Sequence, residues 1–90
     1  MQFNMLVKNL FRLSGGITVI ACSGGRSDGV LAGRIATLAV DGELRQKFVV
    51  EGERRMLNQT REGERAIETR DDILLTQDEA QSGRFTLNFD

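Results

Sequence analysis

The chain has 90 residues, no His, Trp, Tyr or Pro, one Cys, and 13 acidic against 12 basic side chains, for a net charge of −1. Without His it lacks the group that most often moves protons near neutral pH and ligates metals, and a single Cys cannot build an intrachain disulfide framework. These facts point to one small domain over residues 1–90 with a binding or structural role, and to no catalytic residue, cofactor or metal.

Charge is unevenly spread. Residues 1–50 carry six basic and three acidic side chains (+3), and residues 51–90 carry six basic and ten acidic (−4). The near-neutral total leaves no overall electrostatic footprint for nucleic acid. The start, Met1-Gln2-Phe3-Asn4, lacks the basic segment and continuous apolar run of a secretion signal. No stretch approaches the roughly 20 apolar residues that span a bilayer. The expectation is a cytoplasmic protein with no membrane partner.

In chain order, Phe3, Met5 and Val7 alternate with polar or outward positions and predict a strand. The apolar phase then slips, with Leu10 next to Phe11, as a β-bulge or bend requires. Ser14-Gly15-Gly16 reads as a turn, and Ile17 to Ala21 as a buried β-branched strand ending near Cys22, an inert buried thiol. Ser23 to Gly29 is a polar, Gly-rich loop. Val30 to Val40 reads as a strand bent at Gly33. Asp41-Gly42 predicts a type I′ hairpin turn, which needs positive φ at both residues, and Glu43 to Val50 the return strand. Glu51-Gly52-Glu53 and Arg61-Glu62-Gly63-Glu64 read as charged turns around a short strand at Met56-Leu57. A further strand begins at Ala66-Ile67. Asp71-Asp72 opens a loop, Ile73-Leu74-Leu75 is an apolar plug, and Thr76 to Glu79 fits a capping box for one helical turn stopped by Gly83. Phe85, Leu87 and Phe89 form a closing strand suited to pair near the first. Six to seven short strands at this spacing predict an all-β domain, preferably a small antiparallel β-barrel, because closure removes exposed edges.

Three motifs bear on chemistry. Gly24 and Gly29 have the separation of a phosphate loop, but Val30-Leu31 stands where Lys-Ser/Thr belongs and a strand follows. Asp71, Asp72, Asp78 and Glu79 suggest a cation cluster, but the apolar plug interrupts them, and a turn plus a helix cap accounts for them. Arg54, Arg55, Arg61 and Arg65 alternate with Glu51, Glu53, Glu62 and Glu64, as cross-strand ion pairs would. The remaining candidate is a partner-binding loop: Gly24, Gly25, Arg26, Ser27 and Asp28, with Arg34 nearby, since exposed loops on a rigid sheet commonly carry binding.

Val7-Lys8-Asn9-Leu10-Phe11-Arg12-Leu13-Ser14-Gly15-Gly16 resembles the opening of the second, β-barrel domain of translational GTPases such as elongation factor Tu. Val30-Leu31-Ala32-Gly33-Arg34-Ile35 is similar to that family's next strand, Val40-Asp41-Gly42-Glu43-Leu44 to its following turn, and Asp71 to Gly83 to the segment before its closing strand. Ile17 to Gly29 would be an insertion, and the GTPase domain is missing. The resemblance implies a barrel fold and a ribosome- or RNA-associated role, and assigns no active site. The sequence therefore offers a protein–protein binding module acting through loop 23–29, with RNA or ribosome association as the alternative. A homo-oligomer would suit so thin a core.

Overall fold

The computed structural model describes residues 3–24, 30–54 and 64–89. They form an all-β fold of seven strands and one short helix: β1 (Phe3–Leu13), β2 (Ile17–Ser23), β3 (Ile35–Val40), β4 (Glu43–Val49), β5 (Gly52–Arg54), β6 (Arg65–Thr69), α1 (Gln77–Ala80) and β7 (Phe85–Phe89). The strands make one antiparallel sheet in the order β4-β3-β7-β1-β2-β6-β5.

Local chemistry sets several of these elements. The phase slip in β1 is a register shift between Val7 and Asn9, which lets Met5, Val7 and Leu10 all reach the core. Asp41 (φ 51°) and Gly42 (φ 85°) both have positive φ, as the β3–β4 hairpin turn demands. α1 carries the capping box: the Glu79 N–H donates to the Thr76 hydroxyl (3.1 Å), and the Thr76 N–H donates to the Glu79 carboxylate (3.0 Å). Gly83 follows with φ 80°.

One cluster from all the longer strands fills the concave side of the sheet, including Met5, Val7, Ile20, Leu38, Phe48, Ile67, Leu87 and Phe89. Loop residues close its two ends. Leu31, in the β2–β3 connection, is fully buried, and so are Ile73 and Leu75, while Leu74 between them is 60% exposed. The 70–76 segment is tied across its end by Arg12, which donates to the Ile73 and Leu75 carbonyls (2.9 and 2.7 Å), and by Gln46, which donates to the Asp72 carbonyl and accepts from the Leu74 N–H.

Three expectations need correction. The sheet is not a closed barrel, since no ladder joins its edge strands β4 and β5. Those edges are instead consecutive in the chain, separated only by Val50-Glu51. The run from Val30 does not begin as strand: residues 31–34 turn first, with the Arg34 N–H donating to the Leu31 carbonyl (3.0 Å), and β3 starts at Ile35. Gly52 and Glu53 belong to a strand, β5, because pairing with β6 overrides their turn-like composition. The strand expected at Met56-Leu57 and the turn at 61–63 lie outside the described residues.

Replacing Ile73 by Ala should lower unfolding free energy by about 2–5 kcal/mol, the usual cost of emptying a buried aliphatic site. Leu74→Ala should stay within about 0.5 kcal/mol, as at exposed positions generally. Urea denaturation of both variants checks the contrast.

Candidate interaction surface

The two ends of the sheet differ in how their side chains are engaged. At the end covered by residues 70–84, polar groups are tied into the fold. Arg45 donates to the Leu74 carbonyl (3.2 Å) and pairs with Glu79 (2.9 Å), with its guanidinium carbon 4.8 Å from the centre of the Phe85 ring. Further along the free edge of β4, at the opposite end beside Ile35, the Asp71 carboxylate accepts from the Val49 N–H (2.8 Å). Arg84 pairs with Asp41 across the hairpin turn. Of the acids that suggest a cation cluster in the sequence, Glu79 serves in the helix cap and Asp71 covers the β4 edge, and among the described residues no group of three potential ligands converges.

At the opposite end, β2 finishes at Ser23 and β3 starts at Ile35, with the ends of β1 and β7 between them in the sheet. The connection from 24 to 34 must span that gap. Gly24 is exposed with φ 87°. Gly25, Arg26, Ser27 and Asp28 lie outside the described residues. Arg34 is half-buried, its guanidinium carbon 5.8 Å from the centre of the Phe89 ring, and its carbonyl accepts from the Val50 N–H (2.9 Å). Of the six residues proposed from sequence, only Gly24 and Arg34 are thus placed, at the two feet of the connection.

The sequence reading missed exposed aliphatic residues near the second of these feet, at Arg34. Ile35 and Val49 are directly opposite on β3 and β4, 59% and 48% exposed, while their neighbours Ala36 and Phe48 point into the core. Val30, just before the 31–34 turn, is 78% exposed. The signal was present in the alternation: once Ala36 and Leu38 face inward, Ile35 must face outward. Large aliphatic side chains grouped on an outer face are less common than scattered ones and mark contact surfaces.

Cys22 is buried opposite Arg65 in the β2–β6 ladder. Burial pushes its thiol well above the ordinary value, more than the positive charge of Arg65 lowers it. A thiol held protonated is a poor nucleophile. Arg65 itself pairs with Glu53 (2.6 Å) and Arg54 pairs with Glu68, the cross-strand ion pairing expected of this charged stretch. No protein-family model, curated protein or solved structure matches the chain.

Folded Cys22 should stay unmodified by a thiol-reactive chromophore and react fully once the protein is unfolded. Rapid labelling without denaturant would contradict the burial. A pH effect is also expected from Glu79. The Thr76 N–H, and then Arg45, hold its carboxyl below its ordinary value of 4.5. The stability this contributes is complete above that value and fades as pH falls through the lower folded value. Glu79→Gln should therefore flatten the acid limb of a stability–pH curve below about pH 4.5.

Proposed function

We propose that this chain is a non-catalytic binding module of the cytoplasm that docks a partner protein at the end of the sheet carrying the 24–34 connection. The carrying observation is the exposed Ile35–Val49 pair, next in the chain to Arg34. An exposed aliphatic contact area suits a protein surface, where a desolvated apolar centre supplies most of the affinity. The loop residues Arg26 and Asp28 complete the contact in this reading. RNA association through a surface like that of translation-factor barrels fits less well. Base stacking needs exposed aromatics, and among the described phenylalanines Phe48, Phe85 and Phe89 are buried and Phe11 is half-buried.

The tagged protein should retain one or two stoichiometric partners from its host's lysate, insensitive to ribonuclease. Ile35→Thr with Val49→Thr keeps β-propensity and should remove those partners without shifting the melting temperature appreciably. Arg26→Ala with Asp28→Ala should do the same. Ribosomal proteins released by ribonuclease would instead establish the RNA-linked reading, and unchanged capture by both variants would dismiss this surface.

A further inference from the structure

β1 is longer than the strand that pairs with it on one side. β2 follows it from Leu6 to Leu13, but β7 pairs only with Phe3 to Leu6. From Leu10 to Leu13 the side of β1 facing away from β2 has no strand neighbour among the described residues. At Leu10 that side is covered by side-chain amides. The Leu10 N–H donates to the Asn9 Oδ1 (2.8 Å), and the Gln77 Nε2 donates to the Leu10 carbonyl (3.4 Å). Gln77 and Gln81 also donate to the Asn9 Oδ1 (3.3 and 3.2 Å), which fixes it in place. These carboxamides stand where the peptide groups of a neighbouring strand would stand.

Main-chain direction alternates along an antiparallel strand, so Arg12, two residues on, turns its N–H and C=O toward the same open side. No described residue pairs with them. Beside them runs a groove of about 450 Å³ lined by Leu10, Phe11, Arg12, Leu13 and Gln77. Phe11 and Leu13 are half-buried on the outer face, and Arg12 is exposed even though its Nη2 is engaged by the Ile73 and Leu75 carbonyls. Proteins usually cover such an edge; here the cover stops at Leu10.

We propose that this edge accepts an extended segment of a partner polypeptide as an added antiparallel strand, with an acidic residue opposite Arg12 and apolar residues on either side of it. The residue opposite Arg12 exchanges both main-chain hydrogen bonds with it and shares its face, so a carboxylate there meets the guanidinium. The flanking residues share the outer face with Phe11 and Leu13 and cover them. Two copies of this chain paired symmetrically about Arg12 would set like charges opposite each other, so the occupant is a different chain. This edge is separate from the Ile35–Val49 surface and does not depend on it.

The probe is a blocked peptide of sequence Thr-Val-Glu-Val-Thr, titrated into the full-length protein while its amide NMR spectrum is recorded. Saturable shifts centred on Leu10 to Leu13 are expected. N-methylation of the central Glu should abolish them, replacement of that Glu by Lys should weaken binding, and Gln77→Ala, which bares the Leu10 carbonyl, should tighten it about threefold. The idea fails if the peptide gives no saturable shift at millimolar concentration, if the shifts centre elsewhere, or if the N-methylated peptide binds equally well.

Discussion

Everything in this fold depends on the bend at Val50-Glu51. Val50 is buried, and its carbonyl accepts from the Gly33 N–H (2.7 Å) while its N–H donates to the Arg34 carbonyl. The next residue reverses allegiance: the Glu51 N–H donates to the Glu68 carbonyl (2.8 Å) on β6, the strand next to the far edge of the sheet. The Thr69 hydroxyl, fully buried, spans the same place by donating to the Val49 carbonyl (2.8 Å). One continuous stretch thus borders both edges, and the sheet must curl around a single core. A flat single sheet would leave both faces of every strand wet. Curling lets a chain with few large apolar residues bury them together, which a 90-residue domain needs.

The curl leaves two ends to close, and the chain closes them in unlike ways. At one end Ile73 and Leu75 enter the core on a segment held by Arg12, Arg45 and Gln46, and a capped helical turn follows. Its charges are absorbed by carbonyls and neighbouring carboxylates. At the other end Leu31 and Val50 enter the core, and aliphatic side chains remain outside at Val30, Ile35 and Val49, as Leu44 and Leu74 do at the first end.

Sequence reading captured what is governed by neighbours in the chain. The bulge in β1 showed as a slip in apolar phase, the Asp41-Gly42 turn as a residue pair that tolerates positive φ, and the helix as reciprocal Thr76 and Glu79 caps. It failed where distant partners decide. Gly52 and Glu53 look like a turn until β6 pairs with them. Arg45 sits in a second irregularity, between the pairs Leu38–Gln46 and Ala39–Leu44, that no phase slip announced because Leu44 is exposed. Barrel closure was inferred from apolar terminal strands, whose pairing is real, but the shared bend replaces a closing ladder. For the candidate site, the glycines drew attention to loop 23–29, while the outward Ile35 and Val49 passed as ordinary strand residues because each adjoins a core residue.

The pairing of Phe3 with Phe89 has a mechanical consequence. It brings the start of β1 and the end of β7 side by side, so tension applied through the two termini acts along the β1–β7 hydrogen bonds rather than across them. Antiparallel bonds loaded in that direction break in succession, beginning with the terminal pair. Pulled by its ends, the domain would open like a zipper at low force.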